Sequence, residues 1–170
     1  NLIVHAGHGL TYGSIKKTDT LVIIDDSIVR GTTLQKSILK ILDRLNPKKI
    51  VVVSSAPQIR YPDCYGIDMA KMEDFIAFRA AIDLLKSEGK EDLIKETYND
   101  CLKELKFPSS KMKNKVKKIY SDYSDEDISN QISKILKEKE IKTNVQVIFQ
   151  TVESLHSACP KNLGDWYFTG

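Results

Sequence analysis

The sequence has few cysteines and no long apolar run. Its 170 residues include three cysteines, Cys64, Cys101 and Cys159, and no Cys-x-x-Cys pair. This spacing fits neither a disulfide framework nor a four-thiolate metal site. Eighteen consecutive apolar residues, the minimum for a membrane span, occur nowhere, and no basic-then-apolar signal peptide is seen. We therefore expect a cytoplasmic protein without a membrane partner.

An excess of charge of one sign is also absent. There are 26 Lys and Arg residues against 23 Asp and Glu residues, a net charge of +3. Residues 103–118 hold seven lysines and one glutamate, but no interleaved pattern of aromatic residues or arginine. Such a stretch is typical of a solvated face, so no nucleic-acid partner is expected. With 41% apolar residues, the length suits one core.

The first part of the chain has the pattern of a strand, a helix and a second strand. Residues 21–25 are a β-branched run that ends in a carboxylate, which predicts a buried parallel strand. Over residues 33–45 apolar side chains recur at offsets of 4, 7, 8 and 11, which predicts an amphipathic helix that ends at Asn46-Pro47. Residues 49–54 predict another buried strand. Together they form a right-handed βαβ unit.

The remainder is predicted to be mostly helical until a last strand. A loop covers residues 56–69, and Ser124 followed by Asp127 is a capping-box signal for one of the helices behind it. Alternating apolar residues at 145–149 predict a returning strand, and a short helix follows. The predicted helices cover residues 72–85, 93–105, 112–120, 125–137 and 152–159.

The strongest chemical signal lies between the first predicted strand and its helix. A helix N-terminus exposes unpaired backbone N–H groups, and Gly31 permits close approach of a ligand to the backbone. The hydroxyls of Ser27, Thr32 and Thr33 add further donors. A phosphate fits such a site without any lysine. The complete run is Asp25, Asp26, Ser27, Ile28, Val29, Arg30, Gly31, Thr32 and Thr33.

The two carboxylates at the start of this run suit a different part of a ligand. Asp25 and Asp26 repel phosphate, but they can accept hydrogen bonds from sugar hydroxyls or hold Mg²⁺ through oxygen. The alternative interpretation is that both carboxylates cap the turn and the threonines cap the helix. Taken together, the run favours a site that holds a phosphate on one side and a diol on the other.

This run resembles the phosphoribosyl pyrophosphate (PRPP) signature of type I phosphoribosyltransferases. In its residue identities it resembles in particular the signature of the amidophosphoribosyltransferase family. A second stretch, residues 55–62 followed by 65–69, resembles the same family behind the next strand. Residues 151–155 and 168–170 resemble its C-terminal region more faintly. Residues 77–144 have no recognised counterpart.

The resemblance implies an α/β fold, a type I phosphoribosyltransferase-like parallel sheet core with a mostly helical insertion. The implied division is a partial core at residues 1–76, the insertion at 77–144, and a return to a truncated core at 145–170. The implied reaction forms 5-phosphoribosylamine from PRPP and glutamine-derived ammonia, the first step of purine synthesis. It also implies that Asp25 and Asp26 hold the ribose hydroxyls and Mg²⁺, with residues 27–33 around the 5-phosphate.

Implied partners are PRPP, purine nucleotides as feedback inhibitors, an N-terminal glutaminase domain and further copies of the chain. The family's glutaminase cysteine and upstream pyrophosphate loop are missing from a sequence that starts at Asn1, so we expect this segment alone to be inactive. Some members carry an iron–sulfur cluster. Tyr167 and Gly164 stand at two of its cysteine positions, and Cys64 near a third cannot hold a cluster alone, so none is expected.

Two other functions stay open at this point. The same phosphate site could serve a non-catalytic module that senses PRPP or a nucleotide. It could also belong to another type I phosphoribosyltransferase, for example one that acts on a nucleobase, although the residue identities at 65–69 argue against this.

Overall fold

A computed structural model of the protein describes residues 2–5, 15–63, 69–162 and 164–170. It confirms the predicted α/β class, because four parallel strands form one sheet in the order β1-β2-β3-β4. Among the described residues no helix is both long and apolar enough to cross a membrane. The strands are β1 Leu2–His5, β2 Thr20–Asp25, β3 Lys49–Ser54 and β4 Asn144–Phe149.

The predicted strand-helix-strand unit is present. β2 and β3 pair in parallel, with Val22 opposite Val51. The helix between them begins with a π-helical turn, Leu34–Ile38, and continues as α1, Leu39–Asp43. Asn46 then takes a positive φ of 54°, which ends the helical path and turns the chain into β3. The sequence pattern gave no indication of the π-helical turn.

One predicted helix is not formed. Residues 112–120 were predicted to be a helix, but the chain forms only a 3₁₀ turn, Lys115–Ile119. Asn114 has an extended backbone and its side-chain oxygen accepts the Val116 N–H at 3.0 Å, an alternative to helical bonding. The other helices are α2 Ile76–Ser87, α3 Glu91–Glu104, α4 Asp125–Leu136, α5 Val152–Ala158 and α6 Trp166–Thr169. Further 3₁₀ turns are Met72–Asp74 and Ser109–Lys111.

The predicted capping box at the start of α4 is confirmed. The Ser124 hydroxyl accepts the Asp127 N–H at 3.1 Å, and the Asp127 carboxylate accepts the Ser124 N–H at 2.9 Å. Two N–H groups that the helix itself leaves unpaired are thereby satisfied, which fixes where α4 begins.

One core joins the sheet to α2 and α4. Fully burying a Leu or Ile side chain is worth about 1.5–3 kcal/mol, so this layer stabilises the fold strongly. The cluster joins residues on both sides of the predicted boundary at 76/77, and the division into core and insertion stays a prediction. Its buried members include Leu21, Ile23, Ile50, Val52, Ala80, Ala81, Leu85, Ile128, Ile132, Leu136, Val145 and Val147.

The other face of the sheet is more exposed. Ile24, Val53 and Ile148 occupy one row across three strands, and Ile24 and Ile148 are 41% and 43% exposed. Strand order follows chain order, so right-handed crossovers place successive helices on the same face. Because all four strands are parallel, their carboxyl ends lie at one edge of the sheet. The helix layer covers one face of the sheet.

Candidate functional site

A cleft of about 450 Å³ opens at the carboxyl end of β2. Leu34 and Ile38 of the π-helical turn form part of its wall. Residues 27–33, here called the cradle loop, supply most of the remainder together with Asp25. The fold thus brings all of the predicted site residues to this cleft except Asp26, which does not line it.

Asp25 and Asp26 have different surroundings. An Asp25 carboxylate oxygen accepts the Asp26 N–H at 3.1 Å, and an Asp26 carboxylate oxygen accepts the Ser27 N–H at 2.8 Å. Asp26 is exposed, whereas Asp25 is partly buried at the cleft. Both carboxylates thus accept a backbone N–H of the turn, as the capping interpretation predicts, and Asp25 in addition lines the cleft.

Burial raises the pKa of Asp25 above its usual value of 3.8, and the hydrogen bond and negative charge of Asp26 raise it further. The charged form of Asp25 is therefore less well solvated than a surface carboxylate. A cation or a hydroxyl donor in the cleft would stabilise that charged form.

The neighbouring strand fixes the backbone of both aspartates. The Ser55 N–H donates to the Asp25 carbonyl at 2.9 Å, and the Ala56 N–H donates to the Asp26 carbonyl at 3.0 Å. The hydrogen bonding between β2 and β3 therefore continues past the last paired residues of the sheet. The backbone just before the cradle loop is therefore held by the same kind of hydrogen bonds as the sheet.

The middle of the cradle loop lies against α2 and α4. Gly31 has a φ of +71°, and a β-carbon there would lie 2.6 Å from Ile76 Cδ1 and 2.9 Å from Leu136 Cδ2. The Ile76 N–H donates to the Val29 carbonyl at 2.8 Å. Gly31 thus allows both the left-handed backbone and close contact with two buried side chains.

Thr32 and Thr33, at the exit of the cradle loop, are exposed. Thr33 precedes the π-helical turn, but its side chain makes no capping hydrogen bond. The hydroxyl of Thr33 is therefore not used to cap the helix. Both side chains line the cleft, where their hydroxyls can donate to an anion.

The Arg30 guanidinium lies beside the turn before α2. Its Nε is 3.5 Å from Asp74 Oδ2, and both side chains are 40% exposed. An ion pair at this exposure contributes little stability. Within the cradle loop, the groups that could bind an anion without Arg30 are the backbone N–H groups and the hydroxyls.

The second predicted stretch forms a polar network with α4. Gln58 Nε2 donates to the Asp125 carbonyl at 2.7 Å, and Gln58 Oε1 accepts from Arg60 Nη2, also at 2.7 Å. Arg60 Nη2 also pairs with the Asp125 carboxylate at 2.5 Å, and its guanidinium lies 5.0 Å from the Tyr120 ring centre. The role of Arg60 within the described residues is structural.

The C-terminal residues pack on the same stretch. The N–H groups of Arg60 and Tyr61 donate to the Tyr167 carbonyl at 2.8 and 3.1 Å, and Trp166 Nε1 donates to the Pro62 carbonyl at 2.8 Å. The stretch at residues 55–62 is thus next to the C-terminal segment that includes residues 168–170. Cys64 and residues 65–68 of the predicted motif lie outside the described residues.

Metal-binding groups are sparse in the part of the chain that the structure describes. Within it, no three or more His, Cys, Asp or Glu side chains are grouped as ligands for a metal ion. Mg²⁺ commonly binds through one or two carboxylates together with substrate phosphates and water. Asp25 at the cleft fits this mode of binding.

The sequence pattern identified the cleft residues but missed three that hold them in place. Ser55, Ile76 and Arg79 all donate hydrogen bonds to backbone oxygens of residues 25–30. Ser55 was identified only as part of the stretch that resembles the family. Nothing in the sequence indicated a role in the site for Ile76 or Arg79. Their role depends on contacts between segments that are distant in sequence.

Comparison with known proteins supports the resemblance for about half of the chain, although no family model matches. The chain is 41% identical over 85 residues to the amidophosphoribosyltransferase of Pasteurella multocida strain Pm70, which is 49% of this chain and 17% of that protein. For the Escherichia coli K12 enzyme of that name the identity is 37% over 83 residues, or 48% and 16%. For the Pyrococcus horikoshii enzyme it is 41% over 68 residues, or 40% and 15%. The match thus spans a small part of each relative.

Proposed function

We propose that this chain is the part of an amidophosphoribosyltransferase that binds the ribose and 5-phosphate of PRPP. The observation that carries the proposal is the cleft at the end of β2, where Asp25 and the cradle loop meet. The curated relatives that match about half of this chain are named amidophosphoribosyltransferase. The proposed reaction is transfer of ammonia to the ribose with loss of pyrophosphate, an entry step of purine synthesis.

Each part of the cleft has a separate task in this proposal. The N–H groups of the cradle loop and the hydroxyls of Ser27, Thr32 and Thr33 bind the 5-phosphate. Asp25 accepts hydrogen bonds from the ribose hydroxyls. Asp26 shapes the turn through its bond to the Ser27 N–H and raises the pKa of Asp25.

The chemistry explains why no protein nucleophile is assigned. Departure of pyrophosphate leaves a ribosyl centre with oxocarbenium character, so binding, orientation and exclusion of water supply most of the catalysis. Mg²⁺, held by Asp25 and the substrate's oxygens, would neutralise charge on the leaving group. The carboxylate of Asp25 lies on the sugar side, where negative charge favours a positive ribosyl centre.

The rest of the catalytic machinery belongs to the proposal as well. A glutaminase domain would supply ammonia, purine nucleotides would inhibit, and copies of the chain would associate in the cytoplasm. No iron–sulfur cluster is proposed. The pyrophosphate side of the site would come from other parts of the parent enzyme, so the segment by itself is proposed to bind ribose 5-phosphate without turning over PRPP.

Calorimetric titration of ribose 5-phosphate, with and without Mg²⁺, tests the proposal. A hydrogen bond to a charged group is worth about 1.5–3 kcal/mol, so Asp25→Asn should weaken binding about tenfold or more. Asp83→Asn is the matched control, because Asp83 is exposed on α2 and does not line the cleft. Absence of binding by the unmodified chain, or equal binding by Asp25→Asn, contradicts the proposal.

A further inference from the structure

Two donors from α2 hold consecutive carbonyls of the cradle loop. The Arg79 guanidinium Nη2 donates to the Arg30 carbonyl at 2.6 Å. The Ile76 N–H, at the start of the same helix, donates to the Val29 carbonyl at 2.8 Å. Both oxygens are thereby directed towards α2.

The direction of each held carbonyl also fixes the direction of the N–H group in the same peptide unit. In a trans peptide the C=O of one residue and the N–H of the next point in opposite directions. Because the Arg30 C=O points to Arg79, the Gly31 N–H points away from α2. By the same rule the Arg30 N–H points away from Ile76. Arg30 and Gly31 both line the cleft, so N–H groups that point away from α2 can face an anion bound there.

Arg79 also brings a positive charge to the back of the loop. Its Nε is buried and has no hydrogen-bond partner among the described residues. Nor does any described carboxylate lie within ion-pair distance of its guanidinium. A charged donor on one end of a peptide group polarises it and strengthens the bond made by the other end. The charge therefore favours an anion bound by the Gly31 N–H.

We propose that Arg79 is a positioning residue for the 5-phosphate, acting through the Arg30–Gly31 peptide group without touching the ligand. This inference rests on the proposed function of the cradle loop. It assigns a functional role to α2 in a segment where neither the motifs nor the resemblance indicated one. Ile76 would orient the preceding peptide group in the same way, through its backbone.

Amide NMR during titration with ribose 5-phosphate tests this role directly. In the unmodified chain the Gly31 and Arg30 amide resonances should both shift as the ligand binds. In Arg79→Met the Gly31 N–H should no longer be held towards the phosphate, so the Gly31 response should be lost. The affinity should fall about tenfold, because one hydrogen bond to the charged phosphate is removed. The Arg30 response should remain, since the Ile76 N–H still holds its peptide group.

Two further variants complete the experiment. Lys86→Met removes an exposed cation from the same helix and should leave affinity and both responses unchanged. Arg79→Lys retains a charged donor of shorter reach and should restore the Gly31 response at a weaker affinity than that of the unmodified chain. If Arg79→Met does not fold, the comparison depends on Arg79→Lys, and an unchanged affinity in that variant overturns the role of Arg79.

The two proposals fail in different ways. If the unmodified chain does not bind ribose 5-phosphate, the proposed function of the cleft is wrong. If it binds and a folded Arg79→Met variant binds equally well with an unchanged Gly31 shift, only the positioning role of Arg79 is wrong. Loss of the Arg30 response together with that of Gly31 would also overturn it, because this pattern indicates general disruption of the loop.

Discussion

Ser55 holds Asp25 from the adjacent strand end through two hydrogen bonds to the same oxygen. Its N–H lies 2.9 Å and its hydroxyl 3.0 Å from the Asp25 carbonyl. The hydroxyl is also 3.3 Å from the Asp26 carbonyl. The residue that presents a carboxylate to the cleft is thus anchored by the sheet.

Removal of the Ser55 hydroxyl should loosen this anchor without breaking it. Ser55→Ala loses one neutral hydrogen bond and should lower the free energy of unfolding by about 0.5–1.5 kcal/mol in urea titrations. It should also weaken ribose 5-phosphate binding. Ser121→Ala is the control, because that exposed hydroxyl donates to the Lys118 carbonyl away from the cleft. Equal ligand affinity in both variants would show that the Ser55 hydroxyl does not support the site.

Two glycines allow the strain and the packing at Gly31 to be separated. Gly89 has a φ of +69° with nothing within 4 Å of a β-carbon, so Gly89→Ala should cost only the left-handed backbone penalty of about 1–2 kcal/mol. Gly31→Ala meets Ile76 and Leu136 as well and should cost about 1–3 kcal/mol more. Thermal or urea unfolding measures both. Equal losses would mean that the core relaxes around the new methyl group.

The pKa of Asp25 should depend on its neighbour. Burial raises this pKa above 3.8 and Asp26 raises it further, so Asp26→Asn should lower it part of the way back. A carboxyl group with a raised folded pKa contributes stability below its unfolded pKa and loses that contribution as pH rises through the folded value. Carbon-detected NMR titration of the Asp25 carboxyl carbon measures the shift. An unchanged pKa in Asp26→Asn would exclude the contribution of Asp26.

The capping box predicts a second, opposite pH effect. The Ser124 hydroxyl is the main cause of the lowered pKa of Asp127, and the Ser124 N–H adds to it. Ser124→Ala should raise this pKa towards 3.8, because only the backbone bond remains. The favourable contribution of Asp127 is present above the unfolded pKa and is lost as pH falls through the folded value, so acid sensitivity should decrease in the variant.

Asp100 is an internal reference for this titration. Hydrogen bonds from Lys118 and Lys103 lower the pKa of Asp100 to about 2, and neither lysine contacts the cap. Its pKa should therefore be the same in Ser124→Ala and in the unmodified chain. If both carboxyl groups shifted together, the change at Asp127 would reflect a general effect on the fold.

Local sequence determined the elements that surround the cleft. The β-branched runs of β2 and β3 predicted parallel strands, which the sheet confirms, although the face that carries Ile24 is exposed. The capping box was readable because Ser124 and Asp127 lie within one helical turn. The residues from Asp25 to Thr33 could be predicted to face a ligand, since a strand end and a helix start were both evident.

Tertiary structure decided which of those residues reach the cleft and what holds them there. Asp25 and Asp26 are adjacent carboxylates in the sequence, and each accepts the next backbone N–H, but only Asp25 lines the cleft. The contact between Arg79 and Arg30 joins residues 49 positions apart, which no local periodicity encodes. Backbone hydrogen bonds and helix periodicity depend on near neighbours, whereas the direction of a loop's N–H groups depends on whatever packs behind it.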